Sequence, residues 1–194
     1  MKLNRIASAL CSVATIAAGI CGTNQMLAQA AAPAMPMQMD APKKPMSPPA
    51  KAEVTLGGAA VSIDYSAPSM RGRAIFGALV PYDKVWRTGA NAATTLKTSA
   101  DLQIGALKVP AGTYTLYTLP TAGGWSLIVN KQTGQWGTVY DEAQDLGRVK
   151  MMVGATAGPL ETFVIDFEKT MGSATELHLK WAGVDASVSV TAAK

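Results

Sequence analysis

Cysteine, histidine and charge are all scarce in this chain of 194 residues. The only histidine is His178, and the two cysteines, Cys11 and Cys21, both lie within the first 21 residues. The remainder therefore has no thiol for a disulfide, a cysteine nucleophile or a thiolate metal site, and a single histidine cannot supply a three-histidine zinc site. Charged residues make up 15% of the chain and hydrophobic residues 48%, which excludes a disordered or coiled-coil protein.

The excess of positive charge is small. The chain has 17 Lys and Arg against 13 Asp and Glu, and two of the basic residues, Lys2 and Arg5, lie at its start. No dense run of Lys or Arg follows, so the sequence offers no continuous positive field for a phosphate backbone. We therefore expect no nucleic-acid partner.

The first 30 residues have the pattern of an export signal. Basic residues precede an uncharged, largely apolar run at 6–20, which is shorter than the roughly 20 residues that a membrane-spanning helix needs. An Ala-Gln-Ala tripeptide ending at Ala30 suits signal peptidase. We expect cleavage there, a periplasmic or extracellular location, and no transmembrane segment in the mature chain. Lipidation of Cys21 is the alternative, which the large residue Ile20 before it disfavours.

Residues 31–50 predict a flexible, extended linker. They contain six of the 11 prolines and four of the 10 methionines, with no aromatic or β-branched residue that could form a core. Met35, Met37 and Met39 could alternatively offer thioether ligands to Cu(I). No histidine or cysteine lies near them, so a plain linker is favoured, and we expect neither a metal site nor a cofactor.

Residues 51–194 predict a single all-β domain. Apolar and polar residues alternate in short segments separated by turn residues, and the first pair flanks Gly57-Gly58 as in a hairpin. The last four predicted strands are 146–153, 160–167, 175–181 and 184–190, each ending where the alternation breaks. We predict an antiparallel β-sandwich, jelly-roll-like or immunoglobulin-like, with about nine to ten short strands and two long loops. Phe163, Ile165 and Phe167 alternate with largely polar residues, which predicts a row of side chains facing the core.

The two long loops, Ser66–Asn91 and Lys131–Asp145, are where we expect a site, because long loops in compact domains are usually functional. The first carries four basic residues against one acidic residue, with aromatic residues between them. Arginine suits carboxylates and phosphates, and an aromatic ring can stack on a sugar. The candidate ligand-binding residues are Arg71, Arg73, Lys84, Trp86, Arg87, Asn91, Trp136 and Tyr140. They predict an anionic small molecule or a glycan as partner.

Structural interpretations of the same residues stay open. The arginines of the first loop could instead form ion pairs with Asp141, Glu142 and Asp145 and pin the two loops together. Those carboxylates could also serve a hydrolase as general acid and base. His178 lies between leucines in an alternating segment, which favours a structural or exposed strand histidine. Trp125 and Trp181 lie at predicted strand ends, where a structural role is expected.

The loop sequences carry a family resemblance. The stretches YSAPSMRGRAIFGALVPYDKVWRTGANAATTL, VPAGTYTLYTLP, WSLIVNKQTGQWG and YDEAQDLGRV resemble the bacterial secreted family called domain of unknown function 2911, over roughly Ser47 to Phe167. WRTGAN, from Trp86 to Asn91, is the specific motif. Asp83 stands where the family more often has glycine. The resemblance implies an exported β-rich domain, and it supplies no activity and no catalytic residues.

These observations predict an exported, non-catalytic binding or envelope-associated module that recognises an anionic or carbohydrate ligand through the WRTGAN loop. The alternative is a hydrolase of a glycan or ester that uses the loop carboxylates.

Overall fold

The computed structural model describes residues 46–193, all within one compact unit of the chain, Pro42–Lys194. The predicted export signal, its cleavage site after Ala30 and the methionines at 35, 37 and 39 lie outside the described residues. The predicted linker ends earlier than residue 50, because the first strand begins at Pro49 and the carbonyl of Pro48 accepts a hydrogen bond from the Ala67 N–H at 2.9 Å.

Nine strands make up the described domain, and every pair of neighbours is antiparallel. They are β1 (Pro49–Leu56), β2 (Ala59–Ser66), β3 (Thr94–Thr98), β4 (Leu102–Ile104), β5 (Leu107–Val109), β6 (Gly112–Thr121), β7 (Gly124–Asn130), β8 (Asp145–Met171) and β9 (Ala174–Ala192). A 3-10 turn at Glu142–Gln144 precedes β8. The order in the sheet is β1-β2-β3-β6-β7-β8-β9-β4-β5, so the predicted all-β antiparallel fold is confirmed.

The sheet folds over so that its two halves pack face to face. The Tyr65 ring, on β2, meets the Phe163 ring, on β8, edge to face at 5.7 Å, and the backbone N–H of Ile165 donates to the Tyr65 hydroxyl at 3.0 Å. Phe163 and Ile165 are 1% and 2% exposed, as their alternation predicted, whereas Phe167 is half-buried at the edge of the core.

Two strands are longer than predicted. The segments 146–153 and 160–167 are both parts of β8, and 175–181 and 184–190 are both parts of β9. The pairing of β8 with β9 shifts register between Ala155 and Leu160, where Ala182 on the facing strand has a φ of 52°. The break in alternation that predicted a strand end is therefore an irregularity at which the strands bend and then continue.

Both long loops contact β6. The first pairs with it through an isolated β-bridge between Trp86 and Thr118, just beyond the last residue paired with β3, and the second lies over its side chains, where the Tyr117 hydroxyl donates to the Val139 carbonyl at 2.7 Å. Because of this cover, both faces of β6 are buried from Tyr114 to Thr118, which accounts for the mixed polarity of its sequence. The loops thus rest on a central strand, away from the edge strands β1 and β5.

Candidate functional site

The two loops meet at the WRTGAN segment. Ala92 bridges Trp136, and the Gly137 N–H donates to the Asn91 carbonyl at 3.1 Å. A Cβ atom on Gly137 would lie 2.5 Å from the Cδ of Arg87 and 2.8 Å from the Asn91 carbonyl oxygen, closer than real Cβ contacts. Only glycine lets the second loop pack this closely against Arg87, so the pairing of the two loops depends on Gly137.

The backbone of the first loop is strained. Four of the six described residues other than glycine with a positive φ lie here: Arg71, Asp83, Thr88 and Asn91. Thr88 is the least expected, because a β-branched residue rarely adopts its φ of 51°. It is fully buried, and its carbonyl accepts a hydrogen bond from the Thr94 hydroxyl at 2.7 Å. Such strain persists where surrounding contacts impose it, and it is concentrated at functional sites.

Beside this segment lies a cavity of about 190 Å³, which we call the arginine cleft. Arg71, Arg73 and Arg87 line it, together with the rings of Trp86 and Trp181, which stack with centroids 5.8 Å apart and an interplanar angle of 18°. Among residues 46–193, no Asp, Glu or His lines the cleft. Three arginines therefore border one partly apolar space.

Backbone carbonyls hold two of these arginines in place. The Nη2 of Arg71 donates to the Met46 carbonyl at 2.8 Å. Arg73 donates from Nε to the Met70 carbonyl at 2.9 Å and from Nη2 to the Ser69 carbonyl at 2.7 Å. The Glu161 Oε1 accepts the backbone N–H of Arg71 at 2.9 Å, but within residues 46–193 no carboxylate lies within 4.0 Å of the three guanidinium groups.

The predicted alternative, in which the arginines of the first loop pair with the acidic residues of the second, is wrong. None of the ion pairs within 4.0 Å among residues 46–193 includes an arginine of the arginine cleft. Arg148 forms ion pairs with two of those carboxylates instead, because its Nη2 lies 2.7 Å from the Glu142 Oε1 and 3.0 Å from the Asp145 Oδ2. The Nε of Arg87 is buried and has no hydrogen-bond acceptor within the described part of the chain.

A second cavity of about 220 Å³, which we call the tyrosine cleft, lies on the other side of Arg87. Tyr117 and Tyr140 line it and meet edge to face at 4.9 Å, with Lys84 as a further cation. The Tyr140 hydroxyl donates to the Asp145 Oδ2 at 2.7 Å. Burial first, and then this hydrogen bond, raise the pKa of Tyr140 to about 12, so the ring stays neutral at physiological pH.

The structure brings six of the eight predicted residues to the two clefts. Arg71, Arg73, Trp86 and Arg87 line the arginine cleft, while Lys84 and Tyr140 line the tyrosine cleft together with Trp86 and Arg87. Asn91 lines neither, and its Nδ2 donates to the Ser47 carbonyl at 3.3 Å. Trp136 also lines neither; it is 58% exposed and directly precedes Gly137, which lines the tyrosine cleft.

Sequence reasoning missed two aromatic residues of these clefts. Trp181 was assigned to structure alone, and it is indeed 1% exposed in the core, yet it also lines the arginine cleft. Its place there depends on how β9 packs below the first loop, which no local pattern reveals. Tyr117 could have been found from the sequence, because the mixed polarity of β6 indicates that both of its faces are buried.

A second set of charged residues lies on the β8–β9 ribbon, and we call it the ribbon cluster. His178 is buried, with Nδ1 2.8 Å from the Asp185 Oδ1 and Nε2 3.3 Å from the Glu176 Oε2. Lys180 pairs with Asp166 and Glu168, and Lys169 pairs with Glu176. Hydrogen bonds from these lysines lower the pKa of Glu168 and Glu176. The histidine is therefore structural, and buried between carboxylates.

Other features of residues 46–193 offer less specific chemistry. The largest cavity, about 770 Å³, is an open groove across β1, β2, β3 and β6 with no aromatic residue in its lining. Within this part of the chain, no three His, Cys, Asp or Glu residues are grouped so that they could hold a metal ion. No helix in it is long and apolar enough to cross a membrane.

Comparison with known proteins gives a family and no activity. The family model described as protein of unknown function (DUF2911) matches residues 47–190, which is most of the chain and extends past the end of the predicted resemblance at Phe167. No curated protein and no solved structure matches the chain.

Proposed function

The chain belongs to the DUF2911 family of proteins of unknown function, and we propose that its β-sandwich is an exported, non-catalytic module that binds an anionic ligand in the arginine cleft. The observation that carries the proposal is that three arginines line one small cavity, with no carboxylate among the lining residues that the structure describes. Export rests on the sequence of residues 1–30.

An anion would add what these arginines lack. Planar guanidinium groups bind carboxylates and phosphates through paired, charge-assisted hydrogen bonds. The Trp86–Trp181 stack beside them excludes water from one side of the cleft, and an ion pair gains strength as the local dielectric constant falls. An acceptor that reached the buried Nε of Arg87 would also relieve an unmade hydrogen bond, which costs about 1–3 kcal/mol.

The side chains around the clefts favour binding over hydrolysis. A glycoside hydrolase uses two carboxyl groups that flank the reacting bond. Neither cleft has an acidic residue or a histidine in its lining. The carboxylates proposed for the hydrolase have other partners: Asp141 accepts the Ala143 N–H at 3.0 Å and so caps the 3-10 turn, and Asp145 accepts hydrogen bonds from Asn130, Tyr140 and Arg148.

Titration calorimetry and thermal unfolding with inorganic phosphate and glucuronate test the proposal. We expect either anion to raise the midpoint of unfolding as its concentration increases, because it binds only the folded state. Arg73→Gln and Arg87→Gln should each weaken binding at least tenfold. Lys97→Gln is the matched control, because this lysine pairs with Asp64 at 2.9 Å outside both clefts, and it should leave binding unchanged.

Two results would contradict the proposal. One is a folded protein that neither anion stabilises. The other is an equal loss of affinity in the control and in the cleft variants, which would mean that binding reflects the overall charge of the molecule.

A further inference from the structure

The two clefts share one wall. Leu79, Trp86 and Arg87 line both, and Arg87 stands between a cleft lined by arginines and one lined by tyrosines and a lysine. Each cleft alone, at about 190 and 220 Å³, is smaller than the roughly 300 Å³ at which typical ligand pockets begin. A ligand of ordinary size exceeds either cleft alone, and the shared wall would let it extend past Arg87 from one cleft into the other.

Each cleft also has its own cation. On the far side of Arg87 from the arginine cleft, Lys84 lines the tyrosine cleft, and it takes part in none of the ion pairs within 4.0 Å in residues 46–193. A single small anion bound in the arginine cleft would leave Lys84 without a negatively charged partner. The arrangement fits a ligand with repeated negative charges, one on each of two neighbouring units.

The two loops that form the clefts carry four exposed apolar side chains, which we call the rim. Leu79, Tyr82, Trp136 and Val139, which lie in the two loops, are exposed to 46%, 41%, 58% and 50% respectively. Exposed aromatic side chains next to cations provide flat surfaces on which the apolar face of a sugar can stack while its charged groups reach the cations. A free inorganic anion would gain nothing from this rim.

We infer that the ligand is an acidic oligosaccharide with a carboxylate on each sugar, one unit in the arginine cleft and the next in the tyrosine cleft against the Trp136 side of the rim. This inference rests on the proposed anion-binding function and specifies its ligand class. An acidic peptide is disfavoured, because extended peptides commonly add to a sheet edge, whereas these loops cover the central strand β6.

Calorimetry with galacturonate and with its α-1,4-linked dimer and tetramer tests the inference. We expect the oligomers to bind at least tenfold more tightly than the monomer. Lys84→Gln and Trp136→Ala should each remove most of that gain and leave monomer affinity unchanged, because neither residue lines the arginine cleft. Both side chains are exposed, so an unchanged melting temperature will show that the variants are folded. Trp136→Phe, which keeps an aromatic face, should retain most of the gain.

The possible failures are distinguishable. Equal binding of monomer and oligomers would overturn the acidic oligosaccharide and leave the anion site standing. Equal binding of the methyl-esterified oligomer, or of a glutamate oligomer of the same length, would overturn the requirement for charge or for sugar respectively. No binding of any of these compounds, with phosphate and glucuronate also inactive, would overturn both proposals.

Discussion

On the β8–β9 ribbon each of three basic side chains lies next to a carboxylate, whereas in the arginine cleft two guanidinium groups donate to backbone carbonyls. Lys169, His178 and Lys180 all lie within 4.0 Å of an acidic side chain. Arg71 and Arg73 donate to the carbonyls of Met46, Met70 and Ser69. All three of these basic side chains on the ribbon are paired with carboxylates of the same two strands. In the cleft, backbone carbonyls orient two guanidinium groups, and no carboxylate of residues 46–193 lies within 4.0 Å of them. A binding site needs such oriented, unpaired charges, and a purely structural cluster does not.

The backbone differs between the two regions as well. The first loop holds four non-glycine residues at positive φ, while the 48 residues from Asp145 to Ala192 hold two, Lys169 and Ala182, one in the β8–β9 turn region and one at the bend. Strained positions need support from surrounding contacts. The first loop receives that support from β6 and from the second loop, so its geometry depends on the rest of the domain.

The largest expected effect comes from the side chain that both regions share. Trp181 belongs to β9 and also lines the arginine cleft, and it packs against Trp86 and Phe163. Trp181→Ala should lower the free energy of unfolding by about 3–5 kcal/mol, the usual cost of removing a buried aromatic ring. Urea unfolding measures it. Trp136→Ala, at a side chain that is 58% exposed, should change the same quantity by less than about 0.5 kcal/mol.

A smaller effect separates the two environments of a basic side chain. Asp185→Ala removes the acceptor 2.8 Å from the Nδ1 of buried His178, and it should lower the free energy of unfolding by about 1–3 kcal/mol. Arg73→Ala removes an exposed side chain that neutralises no acid, so about 0.5 kcal/mol or less is expected. Equal losses in the two variants, measured by urea unfolding, would show that the comparison between the regions has no energetic meaning.

The smallest effect is a gain. Asp83 has a φ of 60°, in the left-handed region, at the position where the family resemblance predicted glycine. Asp83→Gly should raise the free energy of unfolding by about 1 kcal/mol, because glycine adopts this conformation without steric cost. Lys108→Gly is the matched control, since this residue lies in β5 at an ordinary strand conformation, and it should lower stability by about 0.5–1 kcal/mol. A loss in Asp83→Gly would mean that the aspartate side chain itself holds the turn.

Local patterns predicted most of the fold. Gly57-Gly58 marked the hairpin between β1 and β2, and both glycines have the positive φ that such a tight turn requires. The continuity of β8 could not be read from the sequence, because the residues after Ala155 lose the alternation that defines a strand. The hydrogen-bonding partner on β9, rather than local propensity, keeps them in the sheet.

For the candidate site, composition predicted the residues and not their partners. Four basic residues in one loop were visible, but whether they face acids depends on which loop residues meet. Arg148 lies on β8 close to Asp145 and occupies the carboxylates expected for the cleft arginines. The environment of His178 was hidden for a related reason, since Asp185 reaches it only because β9 bends near Ala182.

The sheet order has a consequence for the timing of folding. The hairpin of β4 and β5 lies between β3 and β6 along the chain, yet it joins the sheet through β9, with Leu102 paired to Ala192 and Ile104 to Val190. When the chain is synthesised or translocated from its N-terminus, the apolar side of this hairpin stays uncovered until β9, about 85 residues later, is available to pair with it. Uncovered apolar strands promote aggregation, so we expect slower synthesis or translocation to increase the aggregated fraction. A chaperone that covers β4 should raise the yield of folded protein.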